Sequence, residues 1–220
     1  ILGTGLNSLS ETINLIKIAI SQNFFKFLIM PPAYYKYGDE EVINFYTKII
    51  EKFPTIKIII YNFEKLCGYK FSVECVERLV SKFPDQIIGV KDSSYNLYEK
   101  LKIPNFLIFP GSESKLLKAL ELGCAGCISA VTNVTHSLAR KVFDNFERKS
   151  KQTENTKLIL VRETFDKYNL ISALHSFMSV EDKKYKNLLP PLVLLSQEKQ
   201  KELLSELDTL DFLPNKGIAA

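Results

Sequence analysis

The stretch IIGVKDSS, residues 87–94, is an apolar run that ends on a lysine directly before a polar loop. The run at 87–90 has the length and composition of a strand buried on both faces, as in a parallel sheet. Lys91 would then lie at the carboxyl end of that strand. It is either a solvent-exposed residue at the point where the chain leaves the core or an amine that is positioned to react.

Short apolar runs alternate with amphipathic stretches as far as about residue 150, which predicts a parallel sheet of strand and helix units. The predicted helices have recognisable starts: Ser8 with Glu11 forms a capping box, and Asp39 with Glu40 places negative charge at a helix N-terminus. The predicted strands are residues 25–30, 56–60, 87–90, 106–109 and 127–130, and the predicted helices are residues 11–21, 40–53, 72–83, 112–122 and 137–148.

Both a closed barrel and an open doubly wound sheet are compatible with this alternation of strands and helices. No phosphate-binding glycine fingerprint follows the first complete strand, and the unusual polar residues gather after the strand runs, where a barrel has its active site. We therefore predict an α/β fold, a (β/α)8 TIM barrel over residues 1–150, incomplete at the N-terminus with about six of its eight strands. Prolines 190 and 191 interrupt the later helical segments, so residues 151–220 are predicted to form a C-terminal helical extension.

Tyr61 and Lys91 each follow a strand run, about thirty residues apart, which is the length of one βαβ unit. They are therefore predicted on neighbouring strands, about 4.8 Å apart before side-chain reach. An amine among apolar barrel residues loses hydration of its charged form, and the neutral fraction can form a Schiff base with a carbonyl. A tyrosine hydroxyl can give and accept the protons of that reaction. A solvated lysine and a packed aromatic are the structural alternatives.

Composition excludes several classes of function. The chain is 46% hydrophobic and 25% charged, with no apolar run of membrane-spanning length. Its net charge of +4 comes from dispersed lysines, so neither a nucleic-acid nor a membrane partner is predicted. Cytoplasmic location and reduced thiols are expected. Cys124 and Cys127 have the spacing of a redox or zinc pair, but a second ligand pair is missing, which favours core packing and predicts no metal.

Several motifs occur in the order and spacing of the dihydrodipicolinate synthase and N-acetylneuraminate lyase family, which the sequence resembles over nearly its whole length. They are PPAYYK, IIIYN leading to Gly68, IIGVKDSS, FPGSES, LGCAGCISAVTNV and LLPPLVLLS. The resemblance implies a TIM barrel with a helical C-terminal extension, assembled as a homo-oligomer, dimer or tetramer. It also implies action on a 2-oxo acid such as pyruvate together with an aldehyde, through a covalent imine and without metal or organic cofactor.

The resemblance assigns a role to each matching position. The match to GVKDSS makes Lys91 the Schiff-base lysine, and the match to YN makes Tyr61 the acid/base tyrosine. The tyrosine that family members lend to the neighbouring subunit's proton relay falls at Tyr34, with Tyr35 as the alternative register. The positions predicted to bind substrate are Gly111, Ser112 and Ile128.

Two departures from the family pattern shape the functional prediction. Family members have two further strand and helix units and a Thr/Ser pair that holds the pyruvate carboxylate, so we expect these residues to belong to a longer enzyme. Leu66 stands where synthases carry an arginine for the aldehyde's carboxylate, and leucine cannot make that contact. The prediction is a class I lyase or aldolase, acting on a 2-keto-3-deoxy sugar acid. The alternatives are 4-hydroxy-tetrahydrodipicolinate synthase and an inactive barrel that binds a 2-oxo acid.

Overall fold

A computed structural model describes residues 1–214, which form two compact units. The first unit consists of residues 1–111 and 122–127, and the second begins with residues 112–121 and continues from residue 128. The boundary predicted at residue 150 stays a prediction. The end of the predicted extension, residues 215–220, lies outside the described residues.

The first unit is built on a parallel sheet in which each strand pairs with the strand that precedes it in sequence. This sequential order is the one a barrel requires, whereas a doubly wound sheet reverses its strand order near the middle. The α/β barrel prediction is therefore confirmed. The five strands among the described residues are β1 (Leu2–Thr4), β2 (Lys26–Ile29), β3 (Lys57–Asn62), β4 (Ile87–Asp92) and β5 (Leu107–Pro110).

Two helices of the first unit begin where the sequence predicts. The Ser8 side chain accepts a hydrogen bond from the Glu11 backbone N–H at 3.4 Å, which confirms the predicted start of the first helix. Asp39 and Glu40 lie in the first turn of the second helix, where their negative charge interacts favourably with the helix dipole. These helices are α1 (Leu9–Ser21), α2 (Asp39–Lys52), α3 (Glu64–Cys67) and α4 (Val73–Lys82).

The strand predicted at residues 127–130 is wrong, because that segment joins no ladder in the described sheet. The chain does approach β5 just before it, where the Ala125 N–H donates to the Ile108 carbonyl at 3.0 Å. Gly126 then has φ of +145°, outside the range of extended strands, so the approach ends after one hydrogen bond. Apolar composition alone could not reveal this interruption.

The second unit is helical. Its helices are α5 (Leu116–Glu121), α6 (Thr132–Glu147), α7 (Asn155–Asp166), α8 (Leu170–Met178) and α9 (Gln197–Thr209), with short 3₁₀ turns at Glu113–Lys115 and Lys183–Lys186. Residues 187–196 are non-helical, as the two prolines predict. The rings of Phe165, Phe177 and Phe212 pack in the core. The centroid of the Phe177 ring lies 5.6 Å from that of Phe165 and 5.6 Å from that of Phe212. Among the helices of residues 1–214, none combines the length and apolarity that crossing a bilayer requires.

Candidate active site

Three side chains form one row across the carboxyl ends of β3, β4 and β5. The strand register pairs Tyr61 with Lys91 and Lys91 with Phe109. Because side chains alternate between the two faces of a strand, these three project from the same face of the sheet. Tyr61 and Lys91 each directly follow an apolar run of strand length, and Phe109 is the last residue of another.

The Lys91 amine lies over the ring of Tyr61, with Nζ 4.1 Å from the ring centroid. Both side chains are half-buried, so the amine is neither a free surface lysine nor sealed in the core. An ammonium over an aromatic face is attracted by the ring quadrupole, by about 0.5–2 kcal/mol. The prediction that these residues are neighbours is confirmed, and the pair places a nucleophile beside a group able to transfer protons.

The residues that follow Tyr61 and Lys91 project from the opposite face and form a buried polar network. Asn62 and Asp92 are both completely buried, and the Asn62 amide donates to Asp92 Oδ1 at 2.7 Å. The same amide nitrogen donates to the Asn96 carbonyl oxygen at 2.8 Å. Asn62 Oδ1 accepts the Phe71 N–H at 3.1 Å, so every polar atom of this side chain has a partner.

Asp92 also fixes the turn after β4, because its Oδ2 accepts the backbone N–H groups of Leu97 and Tyr98 at 2.8 and 2.9 Å. A buried carboxylate with three N–H donors is held rigidly, since losing any donor leaves polar atoms unpaired. Sequence reasoning missed this network. A polar residue directly after each site residue, on the buried side of two neighbouring strands, was the available signal.

Gly111 closes the site on the side of β5. Its N–H donates to the Asp92 carbonyl at 2.8 Å, which brings its backbone against the turn after β4. A Cβ atom at this position would overlap Ser93 Oγ and lie 2.8 Å from Ser93 Cβ, far inside contact distance. Only glycine therefore fits here without movement of Ser93, which lies two residues after the site lysine.

Replacing Gly111 by alanine is expected to lower the free energy of unfolding by about 1–3 kcal/mol, because the added methyl group must displace the Ser93 backbone. Denaturant unfolding of the two proteins measures the difference. Gly5→Ala is the matched control, since a Cβ there meets no atom within 4 Å. Equal stability of the Gly111→Ala variant and the parent would contradict the close approach.

Tyr34 is 89% exposed. Its backbone has φ of +88°, which is uncommon for a residue other than glycine, and its ring packs edge-on against Tyr35 at 5.0 Å. Tyr35 is 75% exposed. The assignment of either tyrosine to a neighbouring subunit's proton relay stays a prediction.

Ser112 and Ile128 belong to the second unit and are considered there alone. Ser112 is 3% exposed, and its side chain accepts the Ser114 N–H at 3.3 Å, so it caps the 3₁₀ turn that follows. Ile128 is half-buried in the non-helical segment before α6. Their substrate-binding roles stay predictions.

Cys124 is 7% exposed, and its thiol donates to the Tyr98 carbonyl at 3.7 Å. Burial raises the pKa of Cys124, which keeps the thiol protonated and supports the core-packing interpretation over a redox one. Within residues 1–214, no group of three or more His, Cys, Asp or Glu side chains is arranged to hold a metal ion. The prediction of a reaction without cofactor is a separate matter and stays a prediction.

Comparisons with known proteins agree with this description. The chain is 30% identical over 206 residues to an uncharacterized DapA-like lyase of Chloroflexus aurantiacus, covering 90% of this chain and 69% of that protein. It is 26% identical over 197 residues to a 2-dehydro-3-deoxy-D-gluconate/2-dehydro-3-deoxy-phosphogluconate aldolase of Picrophilus torridus, covering 86% and 73%. The crystal structure of dihydrodipicolinate synthase from Agrobacterium tumefaciens superposes with a TM-score of 0.82 at 24% identity, covering 94% of this chain and 74% of that one.

The sequential parallel strands, with an amine and a phenol together at their carboxyl ends, define an α/β barrel protein of the TIM-barrel class. The model of the dihydrodipicolinate synthetase family matches residues 1–210. The chain belongs to this family, whose members are lyases and aldolases. The family predicted from the sequence motifs is thereby confirmed.

Proposed function

We propose that this chain carries the chemistry of a Schiff-base lyase, which makes or breaks a carbon–carbon bond at C3 of pyruvate. The observation that carries the proposal is the Lys91 amine 4.1 Å from the centroid of the Tyr61 ring, at the carboxyl ends of paired strands. A half-buried amine beside a phenol has both the nucleophile and the proton carrier that imine formation needs. Membership of a family of lyases and aldolases supports it.

In the cleavage direction, the neutral Lys91 amine attacks C2 of the 2-oxo acid and forms a carbinolamine. Tyr61 protonates the carbinolamine hydroxyl, which leaves as water, so that a protonated imine joins Lys91 to C2. A base removes the proton of the C4 hydroxyl, the C3–C4 bond breaks, and its electron pair enters the imine to give an enamine. C4 becomes the carbonyl of the departing aldehyde. Protonation of C3 and addition of water to the imine release pyruvate and free Lys91.

The base is assigned to Tyr61, which becomes a phenolate when it protonates the carbinolamine hydroxyl and is therefore ready to take the next proton. Tyr34 of a neighbouring subunit would connect this phenol to solvent, as the family resemblance implies. That role requires a homo-oligomer, dimer or tetramer, and the 89% exposure of Tyr34 is compatible with it. The proposed enzyme is cytoplasmic and acts without metal or organic cofactor.

A 2-keto-3-deoxy sugar acid is the proposed substrate class. Leu66 is 55% exposed in α3, directly beyond the loop that follows Tyr61. At this position an arginine would offer two parallel hydrogen bonds to a carboxylate, and leucine offers none. The relative in Picrophilus torridus is named for aldol chemistry on two sugar acids of this class. The second candidate, 4-hydroxy-tetrahydrodipicolinate synthase, needs a different group to bind the carboxylate of aspartate semialdehyde.

The test is borohydride reduction of the full natural chain in the presence of pyruvate, followed by intact mass. A mass increase of one reduced pyruvate imine is expected. Its absence on folded protein would contradict the lyase proposal and favour an inactive barrel that binds a 2-oxo acid. Two assays then separate the substrates: release of pyruvate from 2-keto-3-deoxygluconate supports the sugar-acid aldolase, and pyruvate-dependent consumption of aspartate semialdehyde supports the synthase.

Replacing Tyr61 by phenylalanine is expected to lower the turnover number by about 10²–10⁴-fold, because the ring is kept and the proton carrier is lost. Steady-state release of pyruvate measures the change. Tyr95→Phe is the matched control: Tyr95 is 39% exposed in the turn after β4 and has no part in the proposed proton transfers. Undiminished turnover of the Tyr61→Phe variant would remove Tyr61 from the mechanism.

A further inference from the structure

The turn after β4 is joined to the segment that follows β3 by a closed cycle of three hydrogen bonds. Asn62 Oδ1 accepts the Phe71 N–H at 3.1 Å, and the Phe71 carbonyl accepts the Asn96 side-chain amide at 2.9 Å. Asn96 Oδ1 accepts the Asn62 amide at 2.8 Å, which completes the cycle. Each of the two asparagines both donates and accepts, so displacing one group disturbs all three contacts.

A second contact joins the same turn to the other end of that segment. The backbone N–H of Glu64, the first residue of α3, donates to Ser94 Oγ at 2.9 Å. Residues 63–71 are therefore held at one end by Ser94 and at the other by Asn96, both in the turn that directly follows β4. Because α3 has only 4 residues, it is too short to be stable alone, and its position depends on such contacts.

The segment held in this way lies beside the amine and the phenol of the site. It begins directly after β3, and the centroid of the Phe63 ring lies 5.9 Å from that of the Tyr61 ring. Residues 64–66 of α3 are exposed, whereas Cys67 is only 1% exposed, so one side of α3 is packed and the other is open to solvent. A substrate larger than pyruvate, once joined to Lys91, must extend past the segments that leave β3 and β4.

We propose that Ser94 and Asn96 are positioning residues that set the specificity of the site for the part of the substrate beyond C3. They act through Glu64 and Phe71 on α3, whose exposed residues then meet that part of the substrate in a fixed place. The inference rests on the proposed function, because the imine at Lys91 defines where the substrate begins. Pyruvate itself ends at C3. Loosening the segment should therefore weaken binding of a complete substrate and leave formation of the pyruvate imine unchanged.

The experiment compares borohydride trapping with pyruvate and cleavage of 2-keto-3-deoxygluconate, in the full natural chain and its Ser94→Ala and Asn96→Ala variants. In both variants the KM for 2-keto-3-deoxygluconate is expected to rise by about tenfold, because the contacts of α3 with the substrate are no longer held in place. Half-saturation and maximal rate of pyruvate trapping should stay within about twofold of wild type, since Asn62 keeps its hydrogen bonds to Asp92 and Phe71. Ser94→Thr keeps the acceptor hydroxyl and should keep the wild-type KM.

Three control variants separate positioning from a general loss of stability. Leu79→Ala opens a cavity in the first unit, because Leu79 in α4 is fully buried, but it removes none of these hydrogen bonds. Ser81→Ala and Asn44→Ala repeat the two substitutions at exposed positions on α4 and α2. All three are expected to keep the wild-type KM. A KM in Ser94→Ala and Asn96→Ala that matches wild type, or an equal rise in Leu79→Ala, overturns the positioning role alone.

The remaining outcomes distinguish the positioning role from the proposed function. No pyruvate adduct on folded wild type overturns both. If wild type forms the adduct and consumes aspartate semialdehyde instead of the sugar acid, the KM for aspartate semialdehyde is compared: a rise of about tenfold in both variants supports the positioning role, and an unchanged KM overturns it. Trapping of pyruvate that slows as much as cleavage would show that the turn positions Lys91 rather than α3, which also overturns the proposal.

Discussion

Replacing Lys91 by arginine is expected to abolish the pyruvate adduct and to lower lyase turnover by at least about a thousandfold. A guanidinium stays protonated at any working pH, so it has no free electron pair with which to attack a carbonyl. It remains a cation, so packing over the Tyr61 ring and the fold should be kept. Intact mass after borohydride reduction and steady-state release of pyruvate measure the two effects.

Lys65→Arg is the matched control for this experiment. Lys65 is exposed in α3, on the segment that follows the strand carrying Tyr61, and the same substitution there should leave both adduct and turnover unchanged. An adduct of unchanged yield on the Lys91→Arg protein would show that another amine forms the imine. Peptide mapping of the reduced protein would then identify that amine.

Replacing Asp92 by alanine is expected to lower the free energy of unfolding by about 3–5 kcal/mol. The substitution leaves three buried N–H donors without their acceptor: the Asn62 amide and the backbone groups of Leu97 and Tyr98. Because Asp92 follows Lys91 directly, borohydride trapping with pyruvate should also become slower in whatever fraction stays folded. Denaturant unfolding and trapping kinetics measure these changes.

Asp92→Asn keeps the shape of the side chain and one acceptor oxygen, so its loss of stability should be smaller than that of Asp92→Ala. Asp85→Ala is the control for removing an aspartate close to the same strand, since the Asp85 side chain is exposed. That variant should stay within about 0.5 kcal/mol of the parent. Equal stability of Asp92→Ala and Asp85→Ala would disprove the energetic importance of the buried network.

The helix starts and strand positions were readable from local sequence because caps and apolar runs act within a few residues. Ser8 caps α1 as predicted, and four of the five predicted strand runs became strands. The run at residues 127–130 failed because strand formation needs a ladder, and Gly126 at φ of +145° interrupts the chain just before it. The apolar composition of residues 127–130 predicts that the segment is buried, but it does not predict whether the segment pairs with a strand.

The sequence by itself determined the parallel order of strand and helix units and the pairing of Lys91 with Tyr61. Apolar periodicity and the length of one βαβ unit place both residues at the same edge of neighbouring strands. Tertiary structure alone decided which polar groups hold those ends in place. Asn62 and Asp92, which hold the ends of β3 and β4, are 30 residues apart. Such partners follow from the three-dimensional register, because a buried donor and its acceptor leave no periodic signal along the chain.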